Sequence, residues 1–403
     1  MRPFPVSTAA GDKRSYYRLF SGYVLAMVST GVAVVALSVL AFRIAGEDAG
    51  AVIGTALSIK MLAYVLGAPL AAAYLSAVPR RPLMVGLDLL RAGAIFALPF
   101  VTHVWQIYAL VFLFTLCSAA FTPAYQASVP HLLPDPDAYA TSLARSRVAS
   151  ELEGAVSPLI AAALFLALSL RGVFLAAMSG FLLSALLIAS ARLPTPTPRT
   201  GALATVFDGF RRLFSNRALR GLPPLALGVG AASAMVMVNT VVLVQGDYTL
   251  PEEATALALG VFGLGSVAGA LALPPLLRRA PERALMLAGG ATMAGALALG
   301  TFAQLYATLL ALWAAIGLGA ALASAPAASL IRRAVEPEAH QTVYAAWFSW
   351  SAASMGIGYA AAGWLGATIS LEATFAALAV FAAAAAGLAA LLWPALAPRP
   401  TTP

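Results

Sequence analysis

The feature that most constrains this chain is a run of about 20 apolar residues that recurs twelve times along its length. A helix of that length spans the ~30 Å hydrocarbon core of a bilayer at about 1.5 Å per residue. Charged residues make up only 10% of the 403 positions and hydrophobic residues 61%. A water-soluble core could not cover that much apolar surface. The sequence therefore predicts an all-α membrane protein with twelve transmembrane helices.

The predicted spans are separated by short polar loops. They cover approximately residues 18–42, 51–75, 83–102, 105–128, 142–168, 172–191, 223–246, 255–276, 284–303, 306–330, 342–366 and 371–394. The longest polar interruption opens with Pro194 and separates the sixth span from the seventh. We therefore predict an N-terminal six-helix bundle over residues 1–192, a cytoplasmic linker over 193–221 and a C-terminal six-helix bundle over 222–403.

The predicted linker contains a segment with helical periodicity. Phe210 and Phe214 lie on one face, opposite Asp208, Arg211 and Arg212. This pattern indicates a short amphipathic helix, either on the membrane surface or in a solvated loop.

Basic residues are concentrated in alternate loops. With the N-terminus inside, the inner loops hold Arg80, Arg81, Arg192, Arg199, Arg211, Arg212, Arg217, Arg220, Arg278, Arg279, Arg283, Arg332 and Arg333. The outer loops hold only Arg43 and Arg171. Because cytoplasmic loops carry excess Lys and Arg, we predict a multi-pass cell-membrane protein with both termini in the cytoplasm. The net charge of +8 results from these basic loops and therefore indicates membrane orientation. We predict no nucleic-acid partner.

An internal repeat relates the two predicted halves. Pro123 in the fourth span and Pro326 in the tenth stand in similar Pro-Ala contexts, 203 residues apart. At the same offset Pro134 aligns with Pro337, and the fifth span aligns with the eleventh. These matches favour a duplicated six-helix unit and hence two pseudo-symmetric bundles.

Several local motifs accompany this architecture. Residues 67–70 (Gly-Ala-Pro-Leu) lead into residues 78–82, which contain paired arginines, and residues 157–161 read Ser-Pro-Leu-Ile-Ala. Further segments are residues 105–108, 120–127 (with Gln126 among them) and 129–134, and residues 142–147 and 151–153 continue them. Together they resemble the major facilitator superfamily, most closely its macrolide, siderophore and nickel-resistance exporter branch.

The resemblance implies a secondary transporter in which two bundles rock around a midplane cavity. It favours proton-coupled efflux of a hydrophobic or cationic small molecule. The alternatives are a divalent metal exporter for nickel or cobalt, or a transporter of a lipid or siderophore-like anion. A membrane enzyme or scaffold is a more remote alternative, because the sequence lacks paired catalytic groups. The sequence has no phosphate-binding Gly-x-x-x-x-Gly-Lys loop, and we predict no cofactor.

Ionisable residues inside the fifth span are the first candidates for transport. Such a side chain costs about 2.5–3.5 kcal/mol at the centre of a bilayer, so it requires a partner or a wet cavity. Glu151 and Glu153 point to opposite sides of a helix, and we predict that one of them, preferably Glu151, exchanges the coupling proton or meets a cationic substrate. Alternatively, Arg147 and Glu151, four residues apart, form a structural ion pair.

Further charged candidates lie on the second and third spans. Lys60, near the middle of the second span, would bind an anionic group or neutralise a glutamate, or would extend its ammonium group to the membrane surface. Asp88 and Arg91, near the start of the third span, together with Arg80 and Arg81, are candidates for gating or for structural pairing.

Four uncharged residues are candidates for the wall of the substrate cavity. Gln126 lies in the fourth span, Asn239 in the seventh, and Trp347 and Trp350 in the eleventh. Amides hydrogen-bond substrates but also join helices, and tryptophans line pockets for lipophilic cations but also form interfacial belts. The sequence leaves both roles open for each residue.

Overall fold

The computed structural model describes the chain as a helical protein. Its described residues are 12–74, 78–135, 138–139, 141–142, 145–146, 154, 156–193, 203–336 and 339–393, with side chains omitted at 66–74, 203–207 and 341. Regular structure within these residues is helical throughout. This confirms the predicted all-α fold.

Among the described residues, six helices with known bounds make up the first half. They are α1 (Lys13–Ala45), α2 (Ala49–Tyr74), α3 (Arg80–Ala97), α4 (Val104–Leu132), α5 (Ser157–Ala167) and α6 (Leu170–Ala189). The first begins where the Asp12 carboxylate accepts hydrogen bonds from the backbone N–H groups of Arg14 and Ser15. This cap satisfies backbone donors that have no partner inside the helix.

Eight further helices follow in the part of the chain that the structure describes. They are α7 (Leu203–Ser215), α8 (Leu222–Val241), α9 (Glu252–Arg279), α10 (Glu282–Gly300), α11 (Tyr306–Ser324), α12 (Ala327–Ala334), α13 (His340–Thr368) and α14 (Leu371–Leu392). A π-helical turn, Val242–Asp247, extends α8.

Twelve of these helices correspond to the predicted spans. In the described part of the chain, nine segments are long and apolar enough to cross a membrane, and the first of them, Lys13–Val65, contains both α1 and most of α2. The 29-residue α13 and the 11-residue α5 account for the eleventh and fifth spans. Much of the N-terminal part of the predicted fifth span lies outside the described residues.

The two repeat-related prolines have different local structures. Pro123 lies inside the continuous helix α4, whereas Pro326 caps α12 after α11 has ended at Ser324. A proline inside a helix removes one hydrogen bond and its ring clashes with the carbonyl group four residues earlier. The sequence repeat therefore predicts where the prolines recur but not whether a helix continues through them.

Helices pack mainly within their own half. In the first half α6 packs on α1 and α3, and α4 packs on α2 and α3. In the second half α8 packs on α13 and α14, α9 on α11, and α10 on α11 and α14. The halves meet chiefly where α2 crosses α13 and where α5 crosses α9.

The amphipathic linker segment forms α7 and packs against the second half. Leu213 is fully buried, and a Cβ built on Gly209 would lie 2.3 Å from the carbonyl oxygen of Thr342 on α13. On the opposite face, Arg212 and Arg211 donate hydrogen bonds to the Asp208 carboxylate. These bonds, that of Arg212 most strongly, hold the pKa of the Asp208 carboxyl below its usual value. The predicted helix is confirmed, and its apolar face contacts protein.

Candidate functional site

The closest approach between the halves is the crossing of α2 and α13. A Cβ on Gly54 would lie 2.4 Å from the carbonyl oxygen of Tyr359, and one on Gly363 would lie 2.4 Å from that of Gly50. No real Cβ tolerates such distances, so the two backbones touch directly. Small residues permit this approach between membrane helices.

The crossing continues towards the middle of both helices. Ser58 Oγ lies 2.7 Å from the carbonyl oxygen of Gly54 and 2.8 Å from that of Gly356 on α13, so its proton is shared between two helices. At the lipid-facing side, Trp364 Nε1 donates to Thr55 Oγ1 at 3.3 Å. Packing and hydrogen bonding therefore hold α2 and α13 together over this length.

A second connection between the halves lies near the start of α2, at the same end of the molecule as Gly50 and Gly54. Arg43, near the end of α1, forms an ion pair with Glu252 in the first turn of α9. The Arg43 side chain is 53% exposed and that of Glu252 23% exposed. Deeper in the protein, a Cβ on Gly260 of α9 would lie 2.4 Å from Leu159 Cδ2 of α5. We call the end of the molecule that carries this ion pair the Arg43 end.

Asn239 joins three helices near the Arg43 end. Its fully buried side chain donates from Nδ2 to the carbonyl oxygen of Ala362 on α13 at 3.0 Å. Its Oδ1 has no hydrogen-bond partner among the described residues and faces Gly50 of α2. The structure thus places this cavity candidate in a helix contact, with one acceptor left free.

Asp88 and Arg91 form an ion pair inside the first half. Both side chains are completely buried, and Ser184 Oγ of α6 donates to Asp88 Oδ2 at 2.7 Å. The guanidinium carbon of Arg91 lies 4.2 Å from the ring centre of Phe121 and 5.0 Å from that of Phe181. Such aromatic faces attract a cation.

The helix that carries this pair begins well before it. Asp88 and Arg91 lie in the interior of the 18-residue helix α3, whose first residue is Arg80. Arg80 itself donates from Nη1 to the carbonyl oxygen of Ala127 at 2.6 Å, and Arg81 is exposed. The four gating candidates therefore do not form one cluster.

The remaining candidates are dispersed. Lys60 is half-buried on α2 and lines a cavity within the first half, while Gln126 is exposed on α4. Trp350 donates from Nε1 to the carbonyl oxygen of Pro223 at 2.9 Å and packs edge-on against Phe214 of α7. Trp347 is partly buried against the core. Glu151, Glu153 and Arg147 lie outside the described residues.

Sequence reasoning missed several residues that join helices. Gly50 and Gly54 form a Gly-x-x-x-Gly pattern in an apolar helix, a signal of close helix packing that was available in the sequence. Ser184 and Phe181 had no such signal, because only the packing of α6 against α3 brings them to the buried ion pair.

Comparison with known proteins agrees with this architecture. The family model of the Major Facilitator Superfamily matches residues 19–279 and, in an overlapping match, residues 225–403. The chain therefore belongs to the major facilitator superfamily and is a multi-pass membrane transporter, as predicted from its motifs.

A known relative by sequence is macrolide efflux protein A of Streptococcus pyogenes, which is 22% identical over 220 residues. The match covers 52% of this chain and 54% of that protein, so the chain spans about half the length of this relative.

Solved structures share the complete fold. A bacterial homologue of the human lysosomal transporter Spinster, in an inward-facing and occupied conformation, has a TM-score of 0.73 at 15% identity, covering 94% of this chain and 96% of that one. A POT family transporter in complex with 5-aminolevulinic acid has a TM-score of 0.73 at 11% identity, covering 93% and 96%. These likenesses confirm twelve helices in two six-helix bundles.

Proposed function

We propose that this transporter exports a hydrophobic or cationic small molecule in exchange for protons, by alternating access. The observation that carries the proposal is the contact between the halves that the described residues make at the Arg43 end. The α2–α13 crossing and the ion pair between Arg43 and Glu252 close the Arg43 end. In the orientation predicted from the basic loops this end would face outside, and a midplane cavity would then be accessible from the cytoplasm, where an exporter collects its substrate.

Two observations support the proposed substrate class: the similarity to a known exporter and the aromatic residues of α13. Macrolide efflux protein A is named for export of macrolides, and its likeness covers about half of this chain. Aromatic side chains on α13, such as Trp347, would suit a lipophilic cation. Glu151, or alternatively Glu153, remains our proposed proton carrier, because a buried carboxyl group exchanges protons near neutral pH.

The test follows a preset pH gradient in everted membrane vesicles. Lipophilic cations are added first, then nickel or cobalt, with the wild type, Glu151→Gln and the matched control Glu372→Gln at the exposed start of α14. We expect a lipophilic cation to collapse the gradient in the wild type and the control, and Glu151→Gln to abolish the response.

Two other results would count against the proposal. If the Glu151→Gln vesicles respond like the wild type, the proton is carried elsewhere, and Glu153→Gln is then the informative variant. If no cation collapses the gradient in any vesicle, proton-coupled cation export is wrong and transport of an anion becomes the function to test.

A further inference from the structure

A crevice opens on the second half, at the end of the molecule opposite the Arg43 end. Helix α9 begins near the Arg43 end at Glu252 and runs for 28 residues to Arg279, and the crevice lies beyond it, at the start of α10. Its volume is about 280 Å³, room for roughly nine water-sized groups at ~30 Å³ each. Its lining comes from the segment after α7, the start of α10 and the end of α12, and it includes Ala218, Glu282, Arg283, Leu330, Arg333 and Ala334.

The guanidinium group of Arg333 is located at the wall of the crevice by its contact with Glu282. Arg333 Nη1 lies 3.4 Å from Glu282 Oε1, and the same oxygen accepts a hydrogen bond of 2.8 Å from Ser329 Oγ. The Glu282 side chain is only 14% exposed, whereas that of Arg333 is 69% exposed. A guanidinium group has five N–H donors, and this long contact engages one of its nitrogens. Arg333 can therefore bind a second anion without leaving Glu282.

The guanidinium group of Arg283 is located by Trp393, the residue that follows α14. Its central carbon lies 6.0 Å from the centre of the Trp393 ring. Trp393 Nε1 donates to the carbonyl oxygen of Ala218 at 2.9 Å, and Ala218 is itself part of the crevice wall. A ring face attracts a guanidinium group without engaging its N–H donors. The end of α14 thus holds the Arg283 guanidinium beside the crevice.

Further basic residues surround the crevice. Helix α9 ends with Arg278 and Arg279, and the last turn of α12 carries Arg332 beside Arg333. Arg278, Arg279 and Arg332 are exposed. Such a concentration of arginines creates a positive potential that attracts anions.

The crevice lies at the level of the membrane surface. The transmembrane helix α9 ends and α10 begins beside it. Leu391, in the last turn of α14 and two positions before Trp393, is 83% exposed, so the lipid-facing apolar surface reaches this level. Tryptophan is enriched at the membrane–water interface, and basic pockets between membrane helices at this level bind anionic headgroups.

We propose that this crevice binds the phosphate group of an anionic phospholipid. Arg283 and Arg333 donate to the phosphate oxygens, which the fork of N–H groups on arginine matches in geometry. The Glu282 carboxylate is already bonded to Arg333 and to Ser329, which limits its repulsion of the phosphate. The acyl chains stay in the membrane, beside the apolar surface of α14. The site is separate from the proposed export pathway and does not depend on its direction or coupling ion.

The experiment measures ligand-dependent thermal unfolding of the purified full-length protein in a nonionic detergent. Dioctanoyl phosphatidylglycerol is the probe, and dioctanoyl phosphatidylcholine and inorganic phosphate are the comparison compounds. The variants are Arg283→Gln, Arg333→Gln, the two combined, and Ala334→Leu, which fills the crevice without removing a charge. Arg332→Gln is the matched control, since Arg332 is exposed on the same turn of α12 and does not line the crevice.

Phosphatidylglycerol is expected to raise the Tm saturably in the wild type and in Arg332→Gln, because a ligand that binds the folded state stabilises it. Loss of one charged hydrogen-bond donor in Arg283→Gln or Arg333→Gln should weaken binding about fivefold to thirtyfold. The combined variant and Ala334→Leu should lose the saturable response. Phosphatidylcholine, whose headgroup has no net charge, should raise the Tm less than phosphatidylglycerol.

Four results would overturn the proposal. They are an equal Tm rise with phosphatidylcholine, an unchanged phosphatidylglycerol response in the combined variant, equal weakening by Arg332→Gln and Arg333→Gln, which would indicate a diffuse basic surface, and an Arg283-dependent Tm rise with inorganic phosphate at the same concentration, which would indicate a free anion. If the arginine variants do not fold, Ala334→Leu decides the question, since an undiminished response in that variant excludes the crevice. This assay involves no gradient and no transport substrate, so its failure is distinguishable from failure of the export proposal.

Discussion

At the scale of single residues, two cations of the first half differ in their surroundings: Arg91 is fully buried and Lys60 is half-buried. Arg91 has Asp88 beside it and two aromatic rings against it, yet its Nε and Nη1 lack hydrogen-bond partners among the described residues. Lys60 lines an apolar cavity. The charge of Arg91 is therefore balanced by Asp88 inside the packed core, whereas no ion pair among the described residues balances that of Lys60.

Removing one member of the buried pair should be worse than removing both charges. Arg91→Met leaves an uncompensated carboxylate and is expected to cost about 3–5 kcal/mol of unfolding free energy, whereas Asp88→Asn combined with Arg91→Met should cost less. Thermal unfolding in detergent measures both, with Arg171→Met at the exposed start of α6 as the control. Equal losses in the single and double variants would contradict a structural ion pair.

At the scale of helices, α2 and α13 approach so closely that glycine is required at the contact. The atom that a Cβ on Gly54 would meet is a backbone oxygen, which no rotamer change can move. The hydrogen bonds of Ser58 add a polar link at the same crossing. In an alternating-access cycle this contact would have to break. Its strength should therefore set the fraction of molecules that are closed at the Arg43 end.

Gly54→Val should separate the two helices. Overpacking costs about 1–3 kcal/mol, equivalent to about a 5- to 150-fold change in the closed population. The measurement is cross-linking between Arg43→Cys and Glu252→Cys with a short reagent, after replacing the one native cysteine, buried Cys117, by serine.

The control for this variant is Gly86→Val on α3, where an added Cβ would meet no atom within 4 Å. We expect cross-linking to fall in Gly54→Val and to persist in Gly86→Val. Undiminished cross-linking in Gly54→Val would show that the crossing does not control closure.

At the scale of the whole molecule, the ion pair between Arg43 and Glu252 links the two halves at one end. Both partners are partly exposed, so the pair contributes no more than about 1 kcal/mol and is screened by salt. In the proposed alternating-access cycle it would bias the balance between open and closed states without locking either. A weak bond suits a contact that must break in each transport cycle.

Reversing one charge of this pair should open the Arg43 end slightly. In Glu252→Arg we expect labelling of Ser58→Cys by a membrane-impermeant thiol reagent to rise about twofold to fivefold at low salt, and less at 1 M salt. The exchanged pair, Arg43→Glu with Glu252→Arg, should restore slow labelling. If the exchanged pair labels as fast as the single variant, the two charges do not act together.

The sequence by itself determined the membrane environment, the twelve spans and their division into two related halves. Those features depend on hydrophobicity over about 20 residues and on repeats, both of which are readable along the chain. It also predicted α7, because a 3.6-residue period is local information. The orientation of the termini stays a prediction from the basic loops.

Only the tertiary structure decided which intramembrane polar groups have partners. Asp88 meets Ser184 across 96 residues, and Ser58 meets Gly356 across 298. The sequence marked Asp88 and Lys60 alike as costly in lipid, yet packing buries Asp88 in a helix contact and leaves Lys60 half-buried at the wall of a small cavity. The cost of a polar group in the membrane depends on its neighbours in space, which come from helices far apart in the chain.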